Sequence, residues 1–171
     1  PIIGYMGTIN STRLDGELLY QIISQRPDYS FVFTGPEDDG FRQHRIHSLK
    51  NAYFTGQKKV DELPAYITAY DVCINPQMVN DITDGNYPLK IDEYLAMGKP
   101  TVATSTHTMR HIFANHTHLA TTPEEWLSAI DRAVTEADDK ELAKQRIAFA
   151  ETHSWGHSVK KIYGIIDNFL K

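Results

Sequence analysis

Apolar residues arrive along this chain in short β-branched runs, and between the runs they recur at the spacing of one helix face. Residues 2–6, 30–34, 52–55, 71–75, 101–104 and 118–121 read as strands. Residues 14–25 read as a helix, because Leu14, Leu18, Leu19, Ile22 and Ile23 fall on one side of it. Further helical patterns cover 61–70 and 88–97, and a weaker one covers 109–114. Beyond Thr122 the pattern is helical only, over 123–137, 140–152 and 158–170. Strands that lack polar alternation and take turns with helices indicate a parallel sheet covered on both faces. Right-handed crossovers then favour an α/β, Rossmann-like, doubly wound sheet of about six strands, followed by a helical C-terminal tail.

In such sheets ligands bind outside the carboxyl ends of the strands, so the loops that follow strands carry the function. These are 7–13, 35–40, 56–59, 76–87 and 105–108. Gly7 and Gly35 each open a loop directly after a strand, where a bare backbone can approach a ligand closely.

The richest stretch is Pro88-Leu89-Lys90-Ile91-Asp92-Glu93-Tyr94-Leu95-Ala96-Met97-Gly98-Lys99-Pro100, which runs into Thr101-Val102-Ala103-Thr104. It spells a short helix with proline at its start and glycine at its end, then a strand. Glu93 stands in that helix among apolar neighbours, after a long loop. A carboxylate so placed suits a polyhydroxylated ligand, since it accepts from two hydroxyls at once. The structural alternative is a Lys90–Glu93 pair on a solvated helix face.

Composition narrows the classes. At 171 residues the chain reads as one domain, 1–171, able to bury its own core. A net charge of -5, with no Lys/Arg run longer than two, argues against a nucleic-acid partner. No apolar stretch is long enough to cross a bilayer. The single Cys73, in a buried strand, excludes an internal disulfide and points to a reduced, cytoplasmic setting. A strand beginning at the first residues predicts a domain cut from a longer polypeptide.

Several ordered segments carry a resemblance: Asn51-Ala52-Tyr53-Phe54-Thr55-Gly56, Leu63-Pro64-Ala65-Tyr66, Tyr70-Asp71-Val72-Cys73-Ile74-Asn75-Pro76, the stretch 89–104, and Thr152-His153-Ser154-Trp155 before a long helix. Together they resemble the donor-binding, C-terminal domain of a two-domain GT-B glycosyltransferase close to family 4, the group 1 glycosyl transferases. The resemblance implies a nucleotide-sugar-binding domain whose N-terminal Rossmann-like, acceptor-binding half is absent. It implies transfer of a glycosyl group to an acceptor hydroxyl with retention, no metal or other cofactor, and no catalytic group within this half. Any membrane association would come through the absent half. By fold analogy, the setting is polysaccharide synthesis at the cell surface or on a lipid carrier.

By the same resemblance, Glu93 holds the ribose hydroxyls of the donor. The family's second acid, for the sugar, falls here on Gly85. Asp84 is the adjacent candidate and Asp81 a weaker one, while Asp84-Gly85-Asn86 also reads as plain turn chemistry. The family's Arg after the first-strand glycine is replaced by Thr8, and Arg13 stands where its Lys would be. The diphosphate therefore falls to Gly7, Thr8, Arg13 and Lys90, with Gly35, Pro88 and Leu89 alongside. For Arg13 the structural alternative is an ion pair with Asp15 or Glu17. The base lies against Gly56-Gln57-Lys58, with Gln57 its backbone contact.

Other constellations carry less. His107 and His111 have metal-ligand spacing but no third ligand nearby in sequence, and read as surface histidines. His116 and His118 read as solvated. Two other readings stand beside the transferase: a sugar-nucleotide epimerase on the same fold, and a non-catalytic module with a decayed site.

Overall fold

The six runs become six strands of one sheet: β1 Ile2–Met6, β2 Ser30–Thr34, β3 Ala52–Gly56, β4 Val72–Asn75, β5 Thr101–Thr104 and β6 His118–Ala120. The computed structural model describes residues 1–169. Strand order is β3-β2-β1-β4-β5-β6, and every neighbouring pair is parallel. The chain winds outward from β1 to β3, then returns to the other side of β1 at β4. The order therefore reverses between β1 and β4, and a crevice opens there at the carboxyl ends.

The helices are α1 Gly16–Ser24, α2 Asp39–Arg42, α3 Leu63–Ala69, α4 Leu89–Ala96, α5 Pro123–Thr135, α6 Lys140–Glu151 and α7 Trp155–Phe169. Successive strand residues point to opposite faces, which sorts the core into two layers. Ile3, Tyr5, Val72, Ile74 and Val102 pack with Leu19 and Ile22 of α1 and Trp126 and Ile130 of α5. Met6, Cys73 and Ala103 pack on the other face with Ile67 of α3, Tyr94 and Leu95 of α4 and Ala150 of α6. Each fully buried side chain of this size contributes about 1.5–3 kcal/mol.

Where the elements depart from the sequence pattern, short-range chemistry explains it. Helix α2 starts within the 35–40 loop, and it and a 3-10 turn at Arg45–Ser48 lie in a stretch for which the sequence pattern predicts no element. They are too short for periodicity to reveal, and α2 exists because Asp38 caps it, accepting from Phe41 N at 2.8 Å. A 3-10 turn, Val60–Glu62, leads into α3. The weak helix after β5 is wound as a π segment, Met109–Phe113. Helix α7 begins at Trp155, ahead of the expected 158, and the expected end at Leu170 lies outside the described residues. Among the described residues, no helix is long and apolar enough to cross a membrane.

Candidate nucleotide-sugar site

Helix α4 positions the site. Its apolar residues Ile91, Tyr94 and Leu95 are buried against the sheet, which turns Lys90 and Glu93 toward the crevice. The Tyr94 hydroxyl accepts the Met6 N–H at 2.8 Å and donates back to the Met6 carbonyl at 3.3 Å. The last residue of β1 is thus bolted to α4, and the Gly7–Thr8 turn that follows is held beside the head of the helix. No side chain caps α4 at Pro88; the Ile91 N–H is taken by the Pro88 carbonyl at 2.9 Å, and the Leu89 and Lys90 amides remain open to an anion.

Gly7 and Gly35 sit back to back. A Cβ on Gly35 would lie 2.0 Å from the Gly7 carbonyl oxygen, and its φ of +147° is one that side chains rarely adopt. Only two bare backbones can approach this closely, and together they form the crevice floor.

Two cavities share Gly7, Thr8, Leu89 and Lys90. The first, about 470 Å³, lies at the reversal between β1 and β4 and is lined by Arg13, Tyr87 and Pro88 as well. Its lining includes two cations, Arg13 and Lys90, and no carboxylate. The second, about 410 Å³, extends toward β2 and β3 and adds Gly35, Gln57, Lys58, Leu63 and Glu93. The one carboxylate, Glu93, is thus confined to the second cavity, where it stands with Lys58 and the shared Lys90, while Arg13 belongs to the first alone.

Lys90 does not pair along the helix with Glu93, as the structural alternative had it. It turns inward, and its Nζ donates to the Tyr5 hydroxyl at 2.6 Å. Burial lowers its amine from 10.5 to about 8; Glu93 opposes that shift and Arg13 adds to it. Arg13 is exposed, and both candidate ion-pair partners are engaged elsewhere. Asp15 caps α1 by accepting from Leu18 N at 2.9 Å, and Glu17 binds Arg45 and His44. The Arg13 carbonyl accepts Met78 N at 2.8 Å, tying the β1 loop to the β4 loop across the first cavity.

Glu93 lines the second cavity and is exposed, although its neighbours along the helix are apolar. Those neighbours face the sheet, and Glu93 faces away from it. Desolvation pushes its carboxyl above the usual range, Lys90 counters this, and Asp92 adds to it.

Asp84 is not brought to the crevice. Its Oδ1 accepts the His107 N–H at 2.7 Å, and it lines neither cavity. Helix-start chemistry claims this carboxylate because the π segment after β5 begins beside it. His107 and His111 are exposed, with rings 4.2 Å apart. His116 and His118 are only partly exposed, contrary to expectation: His116 stacks on Phe149 and His118 bonds Glu136 at 3.0 Å. Among the described residues, no group of three or more His, Cys, Asp or Glu gathers as a metal site would.

The crevice also recruits residues that the sequence reading passed over. Tyr5 read as strand core, yet its hydroxyl accepts from Lys90 and donates to the Thr8 carbonyl at 3.0 Å, so it braces the glycine turn. Tyr87, Asn86 and Gln77 line the first cavity from the β4 loop. No sequence signal marks them, because their placement depends on how that loop pairs with the segment ahead of α1, through Asp15 N to the Pro76 carbonyl and Met78 N to the Arg13 carbonyl.

A parallel sheet in this order, with a bare-backbone turn after β1 facing the head of an uncapped helix, is a Rossmann-type fold of the kind found in GT-B glycosyltransferases. The family of glycosyl transferases group 1 matches over residues 1–136, and the chain belongs to that family. It is similar to the putative teichuronic acid biosynthesis glycosyltransferase TuaH of Bacillus subtilis (strain 168), with 27% identity over 168 residues. That match spans 94% of this chain and 42% of the relative, so the chain is well under two thirds of the relative's length. Sucrose-phosphate synthase from Thermosynechococcus elongatus superposes with a TM-score of 0.77 at 19% identity, over 99% of this chain and 45% of that one. HepE of Anabaena, in complex with UDP-glucose, superposes with a TM-score of 0.71 at 16% identity, over 98% of this chain and 48% of that one. At these identities the structural likenesses establish the fold.

Proposed function

We propose that this chain is the donor-binding half of a glycosyltransferase and holds a nucleoside diphosphate sugar in the paired cavities. The carrying observation is the distribution of charge: Arg13 and Lys90 line a cavity without a carboxylate, and the adjoining one adds Glu93 beside Lys58 and the shared Lys90. The nucleoside occupies the second cavity, its ribose hydroxyls donating to Glu93 and its base lying along Gln57 and Leu63. The diphosphate spans Gly7–Thr8 and the head of α4, where amide dipoles, Lys90 and Arg13 meet its charge. The sugar lies in the first cavity beside Pro88 and Leu89.

In the transfer, the bond from the anomeric carbon to the diphosphate oxygen breaks and one to the acceptor oxygen forms, with retention, while the acceptor proton is released. This half stabilises the charge that grows on the leaving diphosphate. The acceptor comes from an N-terminal partner domain, which fits a chain covering 42% of its curated relative. A cytoplasmic site of action and a reaction without a resident metal complete the proposal.

Calorimetric titration with UDP, GDP and ADP tests it. Binding of one of them, weakened about tenfold or more in Glu93→Ala, is the expected result. Absence of heat with all three would identify a module with a decayed site. UDP is the first probe because HepE was solved with UDP-glucose.

A further inference from the structure

Beyond the crevice wall, one carboxylate joins three distant segments. Asp92, on α4, accepts the Tyr87 hydroxyl at 2.6 Å through Oδ2. Its Oδ1 lies 2.8 Å from His153 Nδ1, in the short link between α6 and α7. The imidazole stands edge-on to Phe149 at 4.5 Å and to Phe113 at 5.8 Å, with Tyr87 completing the aromatic wall at 6.4 Å. Tyr87 packs on Phe113 at 5.5 Å, so its ring is held by packing and its hydroxyl by Asp92.

Tyr87 matters because of where it stands. It closes the β4 loop, lines the first cavity, and directly precedes Pro88 and Leu89 at the head of α4. Burial, and then the bond to Asp92, raise its hydroxyl well above the usual value, so it stays a donor at every working pH. Asp92 itself lines a neighbouring cleft with His153 and Trp155, which shares Tyr87 and Leu89 with the first donor cavity, and is absent from the lining of both donor cavities. Its hydrogen-bonded route to the donor site runs through Tyr87, beside the charge it places on the adjacent Glu93.

We infer that Asp92 is a positioning residue for donor binding: by holding Tyr87 against the His153 link, it sets the head of α4 where the diphosphate is gripped. The inference rests on the proposed donor site. Tyr87 is exposed, so without Asp92 its hydroxyl exchanges a fixed acceptor for water, and the loop end is free to re-aim. Asp92→Asn keeps the arrangement, since its amide oxygen can accept from Tyr87 and its amide N–H can donate to a neutral imidazole.

The test is calorimetric titration of the whole protein with UDP, GDP and ADP, well below its unfolding midpoint. Asp92→Ala and Tyr87→Phe should each weaken binding of the nucleotide that the wild type accepts, by about tenfold. The double variant should lose no more than either single one, because the two changes cut one path. Asp92→Asn should return the affinity to within about twofold. A lowered unfolding midpoint with unchanged affinity would overturn the inference, as would additive losses or no rescue by asparagine. If Asp92→Ala fails to fold, Tyr87→Phe decides, since it keeps the ring packing on Phe113. Failure of the wild type to bind any of the three overturns the donor site and this inference together. Binding by the wild type with indifferent variants overturns this inference alone.

Discussion

The Lys90 Nζ lies 2.6 Å from the Tyr5 hydroxyl and over its ring, 4.1 Å from the centroid. The hydroxyl in turn donates a hydrogen bond to the Thr8 carbonyl, so a side chain of α4 and the backbone of the β1 turn are joined through a strand residue. This relay keeps a cation in the crevice at the cost of burying it, and that cost has a pH signature.

The folded-state amine titrates at about 8, against 10.5 for the ordinary value. Between these values the unfolded chain binds the extra proton, so stability rises as pH increases through this window. Lys90→Met should abolish that rise and should unfold at higher denaturant than the wild type at neutral pH. Chemical denaturation at a series of pH values checks both.

Nucleotide affinity should run the opposite way. A diphosphate favours the protonated amine, so UDP binding should weaken as pH passes about 8, and in Lys90→Met it should be weak and flat across the same range. Titrations from neutral to alkaline pH measure the slope.

Lys90 and Glu93 should separate by ligand. Inorganic pyrophosphate has no ribose, so Glu93→Ala should leave its binding unchanged while weakening UDP about tenfold. Lys90→Met should weaken both. Parallel competition titrations distinguish these patterns, and an equal loss of pyrophosphate binding in Glu93→Ala would count against a hydroxyl-binding role.

Tyr94→Phe should cost about 1–3 kcal/mol of stability, since it leaves the buried Met6 N–H without an acceptor. Urea unfolding with an unchanged slope would show it, and nucleotide affinity should fall with it as the β1 turn loosens from α4.

Gly35→Ala should be worse than its size suggests. The added methyl carbon meets the Gly7 carbonyl at 2.0 Å and forces an alanine into a φ of +147°. The expected result is a lower unfolding midpoint and no measurable UDP binding, because the two glycine turns can no longer abut.

The strands were legible because each is a dense apolar run, and α4 because Pro88 and Gly98 punctuate it. Glu93, Lys90, Gly7, Thr8, Gly35, Gln57, Arg13, Pro88 and Leu89 were named from sequence and do line the two cavities. Asp84 was misplaced, because a turn carboxylate is claimed by whichever N–H folding brings to it, here that of His107. Tyr5 was missed because a strand residue with an apolar ring gives no sign that its hydroxyl will meet a lysine 85 positions away.

Local periodicity, turn residues and capping chemistry belong to the chain itself, because they depend on neighbours a few positions apart; they determined the element order, the parallel sheet and the helix that carries Glu93. Which way Lys90 points, what Asp84 binds, and that Asp92 joins Tyr87 to His153 were decided only by tertiary packing. Those outcomes depend on segments far apart in sequence competing for the same polar partners, and burial settles that competition only when the sheet is complete.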